Sequence, residues 1–365
     1  MIFLNSNLAH NPVFVEGKGA YLIDRKGELA FDTWLGSGTL IFGHDKTTEK
    51  SEKLLPSGPD LDQLFFDNLS DCVDFSIGAI GFQTSGSSAV TRAVRLARAA
   101  TRKDVVVVIG SFWHGSENEF LFKNEKRDIS VGVTSSSHSD VVWFHSLGQA
   151  LSCIDTQRTA AILVEPFQGA DPEHHLFDNL PVNWRDHLRE QNILLICDEI
   201  ITGFRQCYGS CHISRMFDPD IVLFGKAIGG GFPVGVVVVN QDVFAEYEFS
   251  LPFWGGTFSA SPIQLRAVTG TLAKLKTINY CTLEKNLQKL IHVMKKHSSE
   301  TGLSIKSGCN FARISGKVKE TARNFVAPDN AFELMRRRLL KDERIFAGHN
   351  GLVFPSIHEY PSDSI

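Results

Sequence analysis

The chain has 365 residues, with 37 basic and 41 acidic side chains, a formal net charge of −4 and 43% apolar residues. This composition is typical of a soluble globular protein, and the near-neutral charge without a long Lys/Arg block argues against nucleic acid as the main partner. No stretch reaches about 18 consecutive apolar residues, and no secretory signal is recognised, so we expect no membrane partner and a cytoplasmic location. The seven scattered cysteines do not resemble a disulfide framework, and we expect them to stay reduced.

The order of the predicted elements is that of an α/β protein. Six short, nearly continuous apolar runs are typical of strands buried on both faces. They are residues 79–84, 104–110, 160–166, 193–199, 220–225 and 234–240. Between the first two runs, apolar residues from Ala89 to Ala100 recur at helical spacing, which predicts an amphipathic helix. Strands that alternate with helices predict a mainly parallel sheet with its ligand site beyond the carboxyl ends of the strands.

The two ends of the chain have a different pattern. Residues 10–45 contain turn signals around short strand-like pieces, and the part after about residue 265 mixes both kinds of element. The elements predicted in that second part are helices at 270–298 and 329–341 and strands at 311–316 and 351–356. We therefore predict a large α/β domain over 46–264 and a small α+β domain that combines 1–45 with 265–365.

Lys226 directly follows an apolar strand and precedes three glycines. A lysine at the edge of a sheet becomes a Schiff-base nucleophile when desolvation or cationic neighbours lower the pKa of its amine. The alternative is a solvated loop lysine, because most lysines are exposed.

Asp198 and Glu199 end another buried strand, where two carboxylates are costly to bury without a partner. The protonated ring nitrogen of a bound cofactor would compensate for that cost. A pyridoxal phosphate site needs a lysine and an acid of this kind, the lysine to form an imine and the acid to keep the ring nitrogen protonated. The alternative for the two carboxylates is a helix-capping or salt-bridging turn.

Two further strand ends carry candidate cofactor contacts. Gly86 lets the backbone approach an anion, and the N–H groups of Ser87 and Ser88 lie at the start of the predicted helix. Such a helix start is a phosphate site or an ordinary helix cap. After the next strand, Trp113 offers a flat stacking surface and His114 a polar neighbour, although an aromatic residue there is more often part of the core.

Six motifs, taken in their order, resemble class III (subgroup II) aminotransferases of the fold type I pyridoxal-phosphate superfamily. They are SGSSA, FWHG, LVEPFQG, DEIITGFR, GKAIGGGFPVG and WGGTFSASP. The subgroup that they resemble most is glutamate-1-semialdehyde 2,1-aminomutase, and the similarity runs from about Asn11 to Arg266. The resemblance implies a fold type I transferase, pyridoxal 5'-phosphate as cofactor, and a homodimer with shared active sites.

The resemblance also implies roles for the residues around the cofactor ring. Lys226 would carry the cofactor as an imine and then move the proton at the reacting carbon. Asp198 would pair with the ring nitrogen, and Ile200 would pack on the ring face opposite Trp113.

At the phosphate end, the same resemblance implies that Gly86, Ser87 and Ser88 hold the phosphate. Thr257 would reach that phosphate from the other subunit of the dimer, and Glu165 would support the site from behind.

The substrate pocket departs from the subgroup. Aminomutase-like enzymes bind the substrate carboxylate with an arginine of the N-terminal segment, and here no arginine occurs up to Lys18. Trp34, Leu35 and Trp113 would also crowd the pocket entrance. We therefore expect an aminotransferase that moves an amino group between an amino acid or amine and a less polar aldehyde or ketone.

Two alternatives remain open. The first is the aminomutase reaction, for which Arg313 or one of Arg336, Arg337 and Arg338 would replace the missing carboxylate clamp. The second is a non-catalytic cofactor-binding or scaffold protein, against which the presence of both Lys226 and Asp198 argues.

Cys207, Cys211 and His212 have a spacing that resembles part of a zinc site. No second ligand pair lies at a zinc spacing, so we expect no metal there.

Overall fold

The structure, a computed structural model, describes residues 14–45, 63–121, 132–173, 180–247, 256–315, 330–348 and 350–360. Its strands are β1 (Phe14–Lys18), β2 (Tyr21–Asp24), β3 (Leu29–Asp32), β4 (Ile77–Gln83), β5 (Val105–Ile109), β6 (Val141–Phe144), β7 (Thr159–Val164), β8 (Leu194–Asp198), β9 (Ile221–Gly225), β10 (Gly235–Asn240), β11 (Ser304–Gly308), β12 (Phe311–Ser315), β13 (Ile345–Phe346) and β14 (Leu352–Val353). Its helices are α1 (Gln63–Ser70), α2 (Gly86–Thr101), α3 (Leu147–Cys153), α4 (Trp184–Glu190), α5 (His212–Phe217), α6 (Gln241–Tyr247), α7 (Pro262–Leu275), α8 (Tyr280–Thr301) and α9 (Asn330–Asp342).

A seven-stranded sheet, in the order β4-β10-β9-β8-β7-β5-β6, forms the centre of the described part of the chain. In the series β9-β8-β7-β5-β6 each strand is parallel to the next, and β10 is antiparallel to both β9 and β4. The six predicted strands all lie in this sheet, so the predicted mainly parallel sheet is confirmed. Every residue of β5, β7, β8, β9 and β10 is buried, as continuous apolar runs require.

The position of β10 decides which strand ends meet. Because β4 and β9 are both antiparallel to β10, they run in the same direction as each other. The carboxyl ends of β4, β5, β7, β8 and β9 therefore lie along one edge of the sheet. Ligands of open α/β sheets bind at this edge.

The amphipathic helix predicted after the first strand is α2. Its buried residues include Ala89, Ala93 and Ala97, which recur every four positions as a helix face does. This face packs on the central sheet in a core cluster with Val106, Leu163 and other strand residues. The packing fixes where the first turn of the helix lies, directly after β4.

Strands from both ends of the chain form the sheet β1-β2-β3-β13, and strands from the C-terminal part alone form the sheet β11-β12-β14. Strand β13 is parallel to β3, and the Thr33 hydroxyl donates to the Phe346 carbonyl at 2.8 Å. This pairing is compatible with a small domain built from both ends. The division into 1–45 with 265–365 and 46–264 stays our proposal, and residues 46–62 lie outside the described residues.

The helix predicted at 270–298 is wrong as a single element, because α7 ends at Leu275 and α8 begins at Tyr280. Asn279 adopts an extended backbone conformation, and its side chain accepts the Cys281 N–H at 3.0 Å, which starts a new helix. The other elements predicted in this part are confirmed as α9, β12 and β14. None of the described helices is long and apolar enough to cross a membrane.

A left-handed turn at Leu35–Gly38 follows β3. All four residues have positive φ, including Leu35 at 47° and Ser37 at 58°, where a side chain is unfavourable. The Asp32 carboxylate accepts the N–H groups of Trp34 and Leu35 at 2.9 and 3.0 Å and so holds the turn. Leu35 is 1% exposed, so the expectation that it crowds a pocket entrance is wrong.

Candidate active site

Lys226 is the first residue after β9 and begins a short 3-10 segment, with φ at 44°. Its side chain is half-buried at the ligand-binding edge of the sheet. Desolvation lowers the pKa of its amine to about 8, against the opposing effect of the Asp198 and Glu165 charges. An amine with this pKa is in part neutral, and hence nucleophilic, at neutral pH.

Asp198 ends β8, the strand next to β9, and is 3% exposed. One carboxylate oxygen, Oδ2, lies 2.8 Å from the Nδ1 atom of His114, and the other accepts the Ile200 N–H at 3.1 Å. The carboxylate next to Nδ1 implies that this nitrogen carries a proton and donates it. The two contacts fix the orientation of the Asp198 carboxylate. The sequence analysis did not predict that His114 would contact Asp198.

His114 is itself held firmly. It is 1% exposed, and its ring stacks on Phe112 with the centroids 4.8 Å apart and the planes 13° from parallel. Its Nε2 atom is buried and has no hydrogen-bond partner among the described residues. His114 therefore acts within this structure as a support for Asp198.

Glu165 follows β7, the next strand along the sheet, and is 2% exposed. Its Oε2 atom accepts the Trp113 N–H at 3.1 Å and the Gly169 N–H at 3.4 Å. Burial, and then the Asp198 charge, raise the pKa of Glu165 to about 8. Glu165 thereby ties the Trp113 backbone to the sheet edge that carries Lys226 and Asp198.

Glu199, the second carboxylate of the predicted pair, has a different role. It is fully buried and accepts the Thr202 hydroxyl at 2.7 Å and the Cys211 N–H at 3.0 Å. Burial raises the pKa of Glu199. The pair therefore divides, with Asp198 in the site and Glu199 holding the loop behind it.

The start of α2 is capped by its own serines. The Ser85 Oγ atom accepts the Ser88 N–H at 3.1 Å, and the Ser88 Oγ atom accepts the Ser85 N–H at 3.1 Å. This capping box occupies the Ser88 N–H that the sequence assigned to a phosphate, so Ser88 acts here as a helix cap. Ser87 has an N–H that the cap does not use, and its hydroxyl accepts the Ser116 N–H at 3.2 Å.

Ile200 lies between the helix start and Lys226. A Cβ atom added at Gly86 would be 2.7 Å from the Ile200 Cδ1 atom, and one added at Gly225 would be 3.1 Å from its Cγ2 atom. Gly86 is therefore required by this close packing and leaves the helix start free of a side chain. The predicted residues Gly86, Ile200 and Lys226 are thus brought together.

Thr257 is exposed in the turn that precedes α7. In the part of the chain that the structure describes, no hydrogen bond joins Thr257 to Lys226 or Asp198. The role assigned to Thr257 belongs to a second subunit, so it stays a prediction.

Arg205 is a buried residue of the site region to which the sequence gave no role. It is 1% exposed, donates from Nε to the Ile201 carbonyl at 2.8 Å and from Nη2 to the Gly38 carbonyl, and lies 4.5 Å over the Phe354 ring. Burial lowers the pKa of Arg205 to about 10. The only sequence signal for Arg205 was its position in the DEIITGFR motif. Through these contacts Arg205 links the loop after β8 to both ends of the chain.

No group of three or more His, Cys, Asp or Glu residues within the described ranges is arranged to hold a metal ion.

A family model and individual relatives of known name both match this chain. The model of the class-III aminotransferases matches residues 63–304. Glutamate-1-semialdehyde 2,1-aminomutase of Natronomonas pharaonis is 30% identical over 351 residues, which are 90% of this chain and 74% of the relative. The enzyme of the same name from Thermoplasma volcanium is 29% identical over 77% of this chain and 71% of the relative.

Solved structures share the fold. A transaminase with pyridoxal phosphate bound superposes with a TM-score of 0.76 at 21% identity, covering 98% of this chain and 88% of that one. A glutamate-1-semialdehyde aminomutase from Pseudomonas aeruginosa gives a TM-score of 0.73 at 20% identity, covering 97% and 85%. The fold is thus that of the fold type I pyridoxal-phosphate transferases, and together with the family match it shows that the chain belongs to the class-III aminotransferases, a family of enzymes that use pyridoxal phosphate.

Proposed function

We propose that this protein is an aminotransferase that moves an amino group between an amino acid or amine donor and an aldehyde or ketone. The observation that carries the proposal is the amine of Lys226, which is half-buried at the end of β9. Burial lowers the pKa of this amine, and the nearby Asp198 and Glu165 charges partly oppose that effect. A nucleophilic amine beside a fixed carboxylate is the pair that chemistry with pyridoxal phosphate requires.

The residues present fit this cofactor. Lys226 would bind it covalently, and the oriented Asp198 carboxylate would hold its protonated ring nitrogen. Gly86 and Ser87 are the first two residues of a helix of 16 residues, and their backbone N–H groups would bind the phosphate of the cofactor. Ser88 forms the capping box with Ser85. The narrow contact between Gly86 and Ile200 supports this arrangement, because a Cβ atom would fill the space at the helix start.

Pyridoxal phosphate supplies, when bound, a ring that withdraws electrons from the carbon next to the transferred nitrogen. Lys226 is the group of this chain that can remove a proton from that carbon and return it. Asp198 would hold the ring nitrogen with its carboxylate, and His114 keeps that carboxylate in position. Ile200 and Trp113 are proposed to enclose the two faces of the ring.

A comparison of acceptors tests the proposed reaction. The protein loaded with pyridoxamine phosphate is mixed with glutamate-1-semialdehyde and, separately, with a series of apolar aldehydes, and single-turnover rates are measured. We expect the apolar aldehydes to react faster, because the sequence up to Lys18 contains no arginine that could bind the carboxylate of the semialdehyde. A semialdehyde rate tenfold higher, about 1.4 kcal/mol of transition-state preference, would favour an aminomutase.

The aminomutase reaction is the second candidate, and the names of the curated relatives favour it. Of the C-terminal arginines considered for a carboxylate clamp, Arg336 and Arg337 both bind Glu333. Arg313 instead donates from Nη1 to the Gly169 carbonyl at 3.2 Å, on the loop that carries Glu165. If Arg313 binds a substrate carboxylate, its replacement by methionine raises KM for the semialdehyde and leaves KM for apolar aldehydes unchanged.

Cofactor uptake should depend on pH through Lys226. The neutral amine is the reactive form, and the pKa of about 8 means that its fraction rises nearly tenfold per pH unit below 8 and levels off above it. We expect the rate of pyridoxal phosphate uptake by the apoprotein to follow this curve, measured by absorbance from pH 6 to 10. A rate that keeps rising up to pH 10 would show an amine with an ordinary pKa.

The proposed dimer predicts a separate effect of Thr257. If its hydroxyl reaches the phosphate bound by a second copy, Thr257→Ala weakens cofactor retention by about 1 kcal/mol, roughly five-fold, the value of one hydrogen bond. Light scattering and cofactor retention during gel filtration measure both parts. Ser259→Ala, in the same turn, is the control, and an active monomer would contradict the prediction.

A further inference from the structure

Glu165 and Asp198 lie side by side at the ligand-binding edge of the sheet. Strands β7 and β8 are parallel, and Val164 pairs with Cys197, so the residues that follow this pair are level with each other. The residues two positions earlier in both strands pack against α2. Because side chains alternate along a strand, both carboxyls are on that same face of the sheet.

Two consecutive residues contact these two carboxyls. The Trp113 N–H donates to the Glu165 Oε2 atom at 3.1 Å. The next residue, His114, has its Nδ1 atom 2.8 Å from the Asp198 Oδ2 atom. One short segment of the chain therefore holds both carboxyls next to each other.

Glu165 uses only one of its two oxygens. Oε2 accepts the N–H groups of Trp113 and Gly169. Within the described residues, neither a hydrogen bond nor an ion pair joins Oε1 to another group, although Glu165 is 2% exposed. A buried carboxyl oxygen without a partner is unfavourable, so it points to a ligand that binds there.

Gly169 leaves room for such a ligand beside Oε1. A Cβ atom added at Gly169 would be 3.4 Å from the Glu165 Oε1 atom and 2.7 Å from the Ile201 Cδ1 atom. A side chain at this position would therefore fill the space between Oε1 and Ile201.

The order of the strands indicates which part of the proposed cofactor faces Oε1. In the sheet, β9, which precedes Lys226, lies between β4, which precedes the phosphate site, and β7, which precedes Glu165. In pyridoxal phosphate, the ring position that carries the carbon bound by Lys226 has the phosphate arm on one side and the ring hydroxyl on the other. A phosphate at the start of α2 therefore turns the hydroxyl toward β7.

We propose that the Glu165 carboxyl donates a hydrogen bond from Oε1 to the ring hydroxyl oxygen of bound pyridoxal phosphate. This contact rests on the proposed cofactor site and adds to it a residue that the family resemblance placed behind the site. Burial and the neighbouring Asp198 charge raise the pKa of the Glu165 carboxyl, which favours the protonated form that can donate. Two neighbouring strand ends would then fix the ring, Asp198 at its nitrogen and Glu165 at its hydroxyl.

The experiment compares two ligands that cannot form an imine with Lys226. The full-length protein, freed of cofactor, is titrated by calorimetry with pyridoxamine phosphate and with its 3-deoxy analogue, which lacks the ring hydroxyl. We expect the wild-type protein to bind pyridoxamine phosphate about tenfold more tightly, the value of one buried hydrogen bond. In Glu165→Leu the ratio should fall to about one to two, because an indirect effect through Trp113 acts on both ligands and cancels.

Two further variants serve as controls. Glu165→Gln should keep the ratio, because its amide oxygen takes the place of Oε2 and accepts the two backbone N–H groups, which leaves the NH₂ group to donate in the place of Oε1. Glu199→Gln should also keep it, because Glu199 binds Thr202 and Cys211.

Infrared difference spectra make the test independent of whether the leucine variant folds. Binding of pyridoxamine phosphate, but not of the 3-deoxy analogue, should shift the carbonyl band of a protonated carboxyl that is missing in Glu165→Gln. The proposal is overturned if both ligands or neither shift this band, if the wild-type ratio is near one, or if Glu165→Leu keeps the wild-type ratio. A wild-type protein that binds neither ligand would instead overturn the proposed cofactor site.

Discussion

Replacing Lys226 with alanine is expected to lower the rate of amino transfer by about 10⁴-fold or more, because it removes both the covalent anchor and the group that moves the proton. Single-turnover rates with an amino donor measure this loss. Small primary amines added to the Lys226→Ala variant should restore part of the rate, since they supply the missing base. Such rescue would separate loss of the amine from misfolding.

The control for this variant is Lys295→Ala, the same chemical change at an exposed position of α8. We expect it to keep full activity. Borohydride reduction of the wild-type protein with bound cofactor, followed by peptide mapping, should place the label on Lys226 alone. A label on another lysine, or an active Lys226→Ala variant without added amine, would contradict the assignment.

The second large effect is expected for Asp198→Asn, which removes the charge and leaves the size. Loss of a charge-assisted bond to the ring nitrogen costs about 1.5–3 kcal/mol, or about one to two decades in rate. The fold should persist, because the asparagine carbonyl still accepts one of the two hydrogen bonds from Ile200 and His114. Turnover and circular dichroism measure the two parts of the prediction.

Glu199→Gln is the matched control, because it makes the same change at the next residue. Glu199 binds Thr202 and Cys211 rather than the site, so we expect a loss of about 1–2 kcal/mol in unfolding free energy and little change in turnover per folded molecule. Equal losses of turnover in both variants would show that Asp198 has no special role.

Much of the fold followed from local patterns. Strands β8 and β9 are continuous apolar runs, and their ends placed Asp198 and Lys226 correctly at one edge of the sheet. The antiparallel direction of β10 did not follow, because an apolar run has no directional signal. The break before α8 was also missed, since the apolar spacing continues across Asn279 and only its cap reveals a new helix.

The contacts within the site were harder to predict than its members. His114 and Asp198 are 84 residues apart, and nothing local indicates that they touch. Ser88 shows a different difficulty, because a serine at a helix start is equally compatible with phosphate binding and with a capping box. In the structure its N–H is bound by the Ser85 hydroxyl. The role of Arg205 depends on Gly38 and Phe354, which come from opposite ends of the chain.

The parallel pairing of β3 with β13 has a consequence for biosynthesis. The Thr33 hydroxyl and its acceptor on Phe346 are 313 residues apart, so the free edge of β3 cannot be covered until the ribosome has added β13. The seven strands of the central sheet are complete roughly 100 residues earlier, which at about 5–20 residues per second leaves an interval of about 5–20 s. An uncovered strand edge is a template for aggregation during that interval. We therefore expect this edge, rather than the catalytic sheet, to set how long the nascent chain needs a chaperone.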